Sequence, residues 1–211
     1  MTDRPIIFST PMIRALLAGR KLQTRRILNP QPIGFDWFDL KCKPRIKTGD
    51  RLWVREAHYL TDDGEDEYAV YVADGNDATG EHLHEIAALE KLHPAVDWSK
   101  HKKQRPSIHM PRWASRLTLI VTDVRVEQLQ DISGEDAIAE GAEIDPNYRT
   151  PCLGGAVYPM VKVAPGAWLS PVAWYHRLWD QINGPKAWEA NPWVAAFTFT
   201  VIKQNIDEVG R

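Results

Sequence analysis

Apolar residues switch between a period of two and a period near 3.6 along this chain, and each switch predicts an element. Ile6, Ile7 and Phe8 make a short strand-like run, and Ser9-Thr10-Pro11 then offers a hydroxyl cap just ahead of proline, a helix-start signal. Met12, Ile13, Leu16 and Leu17 recur at helical spacing, and Gly19 stands where a left-handed C-cap is expected, so residues 21–26 leave the end of a short helix. Thr48-Gly49-Asp50 is a turn signal ahead of the alternating run 51–57, in which Leu52 and Val54 face one way and Trp53 and Arg55 the other. An acidic turn over 62–67 leads into a further strand over 68–73.

The longest strand pattern covers residues 116–129, with Leu117, Leu119 and Val121 set against Thr118, Ile120 and Thr122. Ser133-Gly-Glu-Asp opens a short helix through a capping pattern, and Gly141 can end it. Another helix starts at Ser170-Pro171, places Tyr175, Leu178, Trp179 and Ile182 on its apolar face, and stops at Asn183-Gly184-Pro185. Residues 193–202 alternate as a terminal strand. Two stretches read as insertions: about 77–105, with a helix over 81–92 and a basic loop over 100–105, and 145–168, Pro- and Gly-rich and loop-like. The order strand, helix, two strands, long strand, two helices, strand contains few parallel βαβ signals. It predicts an α+β fold, a small mixed barrel with flanking helices, as a single domain over residues 1–211.

Composition narrows this by exclusion. A chain that is 44% hydrophobic and 26% charged is not a disordered tail, and 211 residues suffice for one well-buried core. Lys and Arg number 26 against 28 Asp and Glu, so no global charge draws nucleic acid or anionic lipid, and any polyanion site must come from local segregation. Cys42 and Cys152 lie far apart without paired spacing, which suggests neither a disulfide framework nor zinc and fits thiols in a reducing compartment. The N-terminus lacks the basic start and apolar core of a signal peptide, and no apolar run reaches about 18 residues. A soluble, cytoplasmic protein without a membrane partner is expected.

Charge is segregated in two places. Between Arg14 and Gly34 there is no acid, while Arg20, Lys21, Arg25 and Arg26 flank the hydroxyl of Thr24; such a cluster suits phosphate or a nucleotide edge, or else forms a solvated basic turn. Residues 99–122 hold six Lys or Arg and no acid around His109 and Trp113, a pattern that could track a nucleic-acid backbone while stacking a base, or be solvated surface. Of the nine tryptophans, Trp174, Trp179, Trp188 and Trp193 crowd the C-terminal elements as core residues, whereas Trp53 and Trp113 each sit near an arginine. His82-x-His84 has no companion ligands, so no metal and no cofactor are expected. P-loop, Rossmann and nucleophile-elbow motifs are absent.

The segments Leu17-Ala-Gly-Arg-Lys-Leu-Gln-Thr-Arg and Thr48-Gly-Asp-Arg-Leu-Trp-Val, the strand from Leu119 to Val126 with the helix from Ser133 to Glu140, and the closing strand ending at Ile202 resemble the ASCH family. Arg105-Pro-Ser-Ile-His-Met-Pro-Arg-Trp-Ala-Ser-Arg and the late Asn-Pro-Trp-Val are similar to its longer, tryptophan-rich members of phages and prophages. The resemblance implies a PUA-like β-barrel with a nucleoside, nucleotide or RNA as partner. It also implies a candidate activity, since one ASCH group hydrolyses N4-acetylcytidine with a lysine, a threonine three residues later and a helical glutamate. Lys21, Thr24 and Glu140 match that set, with Thr24 as nucleophile, Lys21 as base and Glu140 as proton relay.

Arg20, Arg25, Arg26, Trp53, Arg55, His109, Arg112 and Trp113 would then position the substrate. Neighbouring cations would lower the Lys21 pKa, and a close Lys21–Glu140 ion pair would oppose that shift. A non-catalytic module for RNA or modified nucleic acid, and a metal-independent ribonuclease, are the alternatives.

Overall fold

The computed structural model describes residues 2–32, 43–62, 67–74, 104–151 and 157–210, and is a mixed α+β fold. Ten strands and three α-helices lie within them. The strands form a five-stranded sheet, a hairpin and a three-stranded sheet, none closed into a barrel among the described residues. The five-stranded sheet has the order β1 (Asp3–Ile7), β3 (Arg51–Arg55), β6 (Thr118–Gln128), β10 (Trp193–Ile202), β2 (Gln23–Ile27). The chain divides into two compact units. Residues 1–17, 50–120 and 201–211 make one; residues 18–49 and 121–200 make the other.

In the first unit β1 runs parallel to β3, Asp3 opposite Arg51 and Ile7 opposite Arg55, and the far edge of β3 pairs antiparallel with Thr118–Ile120. Leu52 and Val54 are buried while Trp53 and Arg55 are half-buried, as the alternation requires. The helix α1 (Thr10–Leu17) forms where the cap predicts it, with Ile13 and Leu16 wholly buried and Gly19 at φ 70° just beyond its end. β1 starts three residues earlier than its apolar residues suggest, because Asp3 holds the Arg51 guanidinium through bonds of 2.7 and 2.8 Å. The strand expected over 68–73 is β5 (Glu67–Tyr71), closed by a 3-10 turn at Val72–Asp74. Its hairpin partner β4 (His58–Asp62) has no alternating signal, since His58 and Tyr59 are buried in succession.

In the second unit β2 pairs antiparallel with β10, Thr24 opposite Phe197. Residues 21–26 are thus largely strand rather than a helix exit, concealed because β2 buries Gln23, Thr24 and Arg25 instead of apolar side chains. The helix α2 (Gly134–Ala139) is capped by the Ser133 hydroxyl, which accepts the Asp136 N–H at 3.1 Å. The longer α3 (Pro171–Asn183) is capped in the same way by Ser170 and ends at Gly184, φ 104°. Tyr175 and Trp179 of α3 pack with Leu129, Ile132, Ala137 and Val194, but Ile182 is 53% exposed and does not share that face.

The described residues of the stretch 145–168 are not a loop. It carries the antiparallel sheet β7 (Ile144–Pro151), β8 (Val157–Ala164) and β9 (Ala167–Leu169). Its pattern is broken in the sequence because the register slips between Asp145 and Arg149, where Pro146 stands in the irregularity, a position proline tolerates. The helix expected over 81–92, most of the basic loop, His82, His84, Cys42 and Cys152 lie outside the described residues. No helix among the described residues is long and apolar enough to cross a membrane.

Candidate functional site

The candidate residues fall in both units. Lys21, Thr24, Glu140, Arg20, Arg25 and Arg26 belong to the second, and Trp53, Arg55, His109, Arg112 and Trp113 to the first.

In the second unit α2 ends at Glu140, whose N–H bonds to the Asp136 carbonyl, and Gly141 turns the chain away at φ 111°. Lys21 meets this helix end as an isolated bridge, with the Leu22 N–H donating to the Ala139 carbonyl at 2.8 Å. The ammonium of Lys21, fully buried, donates to the Glu140 backbone oxygen at 2.9 Å and to its Oε2 at 2.8 Å. A cation at the last carbonyl of a helix also meets the negative end of the helix dipole. Glu140 accepts a second bond from Arg25 Nη1 at 3.2 Å and another from the Tyr175 hydroxyl.

Arg25 anchors the cluster. Its guanidinium reaches Glu127 at 2.7 Å, Asp136 at 2.8 Å, Glu140 at 3.2 Å and the Gln23 amide oxygen at 2.5 Å, and lies 5.9 Å from the centre of the Tyr175 ring. Arg125 adds a bond to Asp136 at 2.7 Å. Arg25 is only 4% exposed, so it is committed to carboxylates within the unit, while Arg26 is exposed and Arg20 holds the Gly141 carbonyl at 3.2 Å. Thr24 is 3% exposed. Gln23 and Arg25 touch each other and the carboxylates, so strand alternation turns Thr24 and Arg26 to the opposite face of β2.

Two effects compete on Lys21. Burial is the larger and pulls its pKa below the ordinary lysine range; the Glu140 carboxylate pulls it up, and Arg26 and Arg25 push it down again. Tyr175 is driven above the usual phenol range, first by burial and then by the Glu140 charge, which fixes it as a proton donor. Asp136 is held below the usual carboxylate range: burial would raise it, but the Arg125 bond and the Arg25 charge prevail. Chemically, the arrangement is a buried amine and carboxylate that share a hydrogen bond out of contact with solvent.

In the first unit the Arg55 guanidinium lies 5.3 Å from the centre of the Trp53 ring and donates to the Ile108 carbonyl. Arg112 is engaged by Asp3 at 2.6 Å and Asp207 at 2.7 Å, and Arg116 by Glu56 at 2.9 Å and Asp74 at 2.7 Å. The cation-rich stretch 99–122 is therefore neutralised at two of its arginines by acids remote in sequence. His109 is exposed, as is Trp113 at 47%. The loop carrying them is fastened by Asn205, whose amide reaches the carbonyls of Arg112, Trp113 and Ser115 at 2.7 to 3.0 Å.

Sequence reasoning missed Tyr175, Glu127, Asp136 and Gln23 as parts of the cluster. Tyr175 was assigned to the apolar face of α3. The remaining signal was the need of an acid-free cationic stretch for carboxylates from elsewhere. No group of three or more His, Cys, Asp or Glu is gathered as a cation site among the described residues. Against protein-family models, curated proteins and solved structures, the chain matches none.

Proposed function

We propose that the chain is an ASCH-like protein with a PUA-type barrel whose second unit hydrolyses the N4-acyl amide of an acylated cytidine. One observation carries the reading: Lys21 and Glu140, 119 residues apart, meet at 2.8 Å, both buried. Burying two charges is costly, and here a short contact and the added bonds from Arg25 and Tyr175 to Glu140 offset that cost. Passing a proton from Nζ to the carboxylate leaves a neutral amine able to accept the Thr24 hydroxyl proton. The Thr24 oxygen then attacks the acyl carbonyl, the C–N4 bond breaks, and the departing N4 takes the proton from Lys21. Water, deprotonated by the same amine, attacks the acyl-threonine carbonyl; the C–O bond to Thr24 breaks, the Thr24 oxygen takes that proton back from Lys21, and the acid is freed. Tyr175 and Arg25 keep the Glu140 carboxyl oriented through the cycle.

Strand alternation on β2 favours a second reading, because it turns Thr24 away from the Gln23 and Arg25 side. In that reading Lys21–Glu140 is structural, and the unit binds a base without chemistry.

Incubation with N4-acetylcytidine and chromatography of the released cytidine decides between them. The expected result is turnover by the wild type and a loss of at least about 100-fold in Lys21→Ala and Thr24→Ala with unchanged circular dichroism. Wild-type rates in either variant, or no release by the wild type, overturn the hydrolase. RNA affinity that falls steeply with salt would then support the binding module.

A further inference from the structure

His58 opens β4 at a joint of the first unit. Its N–H donates to the Arg105 carbonyl at 3.2 Å, and the Arg105 N–H returns a bond of 2.8 Å to the His58 carbonyl. That bridge ties residues 105–110 to the hairpin. Further along the same loop, Asn205 grips the carbonyls of Arg112, Trp113 and Ser115, and Arg112 is paired with Asp3 and Asp207. Residues 105–110 are held less firmly. They have the bridge, the bond from Arg55 to the Ile108 carbonyl and their own 3-10 turn, while Arg105, Pro106, Ile108 and His109 are exposed.

The ring of His58 has no exposed surface. Its Nδ1 lies 3.1 Å from the Glu56 backbone oxygen, which can only accept, so Nδ1 carries the proton of the neutral ring. A second proton must add at Nε2, which is buried and has no partner among the described residues. An imidazolium there is a buried charge without a counter-ion. The Glu56 carboxylate does not supply one, because Arg116 takes both its oxygens at 2.9 and 3.0 Å and takes Asp74 as well. Opposite His58 on β5 stands Tyr71, whose phenol donates to the Ala114 carbonyl and is pushed up to about 12, so it stays neutral. Burial first, and then the charges of Arg105, Arg55 and His109, hold the His58 pKa below the ordinary histidine range against the pull of the Glu56 backbone bond.

We propose that His58 is an acid-operated latch: a proton on Nε2 releases residues 105–110 from β4 while residues 112–115 stay fastened, and loss of that proton lets them close again. One proton from solvent adds to one ring nitrogen, and no covalent bond breaks. In the released state the ring meets water and protonates as an ordinary histidine, near about 6.5. The closed state binds the proton more weakly than the released one. The bridge is therefore fully held above about pH 6.5 and is lost below it, by up to about tenfold per pH unit in the ratio of closed to released chains. Glu56 works in the opposite direction, since burial raises its carboxyl above the usual range despite Arg116 and the closed state gains protons there. The latch belongs to the first unit and does not depend on the chemistry of the Lys21 cluster.

The test is amide hydrogen exchange of the full chain, followed by NMR from neutral pH to about pH 5. The amides of His58, Arg105, His109 and Met110 donate within the joint, and those of Val54, Ala114 and Ser115 lie outside it. Protection of the first set should fall about tenfold per pH unit below about pH 6.5, reversibly, while the second set keeps its protection. His58→Gln, which cannot take the proton, should abolish that slope, and His109→Gln, at an exposed position, should retain it. Carbon-shift titration of the His58 ring in the wild type needs no variant, so it decides even where His58→Gln does not fold; a value below about 6.5 is expected. Protection of the joint that acid leaves unchanged, equal loss in both sets, the same slope in His58→Gln, a slope lost in His109→Gln, or a ring that titrates at or above about 6.5 overturns the proposal.

Discussion

Replacing Arg25 by methionine tests the cluster where its geometry is most demanding. The side chain is wholly buried, and its removal withdraws the bonds at 2.7 Å to Glu127, 2.8 Å to Asp136 and 3.2 Å to Glu140. Asp136 keeps Arg125, and Glu140 keeps Lys21, but among the described residues Glu127, 15% exposed, retains only Arg125 at 3.7 Å. Breaking a buried pair from one side costs about 3–5 kcal/mol, a large part of a typical total stability of about 5–15 kcal/mol. With a urea dependence of about 2 kcal/mol per molar, the unfolding midpoint should fall by roughly 2 M.

The matched control is Arg125→Met. That side chain is 43% exposed, and the exposed pair is worth about 0–1 kcal/mol. The effect also has a pH signature. Asp136 is held below its unfolded pKa, so its contribution is present above about pH 4 and is lost as pH falls through the folded value. Arg25→Met has already forfeited part of that contribution, so the gap between variant and wild type should close in acid. Urea titrations followed by circular dichroism at pH 7 and pH 3 measure both. A midpoint in Arg25→Met no lower than in Arg125→Met at pH 7 would refute the reasoning.

Two further outcomes follow from packing and capping. Trp179→Ala should cost about 3–5 kcal/mol, whereas Ile182→Lys, on the exposed side of α3, should stay within about 0.5 kcal/mol; thermal melts separate them. Ser133→Ala removes the cap at Asp136 and should cost about 1 kcal/mol, seen as a melting shift that Ser133→Asn restores.

What the sequence revealed depended on whether burial followed a hydrophobic period. α1, α2, α3, β3, β6 and β10 were legible because capping hydroxyls and alternating apolar residues point the same way. β2 was hidden because it buries Gln23, Thr24 and Arg25, β4 because it buries neighbouring residues, and β7 because its register slips beside Pro146. Among the candidate residues, the Lys21–Glu140 meeting was reachable only through the family resemblance, because nothing in the spacing of residues 119 apart brings them together. The fate of Arg25 and Arg112 was not legible. Their carboxylate partners come from distant segments, and a local charge run says nothing about what the fold will bring against it.

The ion pairing around α2 bears on what the second unit would attract from solution. Arg20, Lys21, Arg25 and Arg125 are each paired with carboxylates of the same unit, drawn from Asp123, Glu127, Asp136, Glu140 and Glu143. Charges paired this closely largely cancel at a distance, so the pairs exert little long-range pull on a polyanion. A ligand for this cluster must therefore arrive by unguided diffusion and be held by close contacts. Those are the terms on which an uncharged nucleoside competes best, and encounter rates there should scarcely respond to added salt.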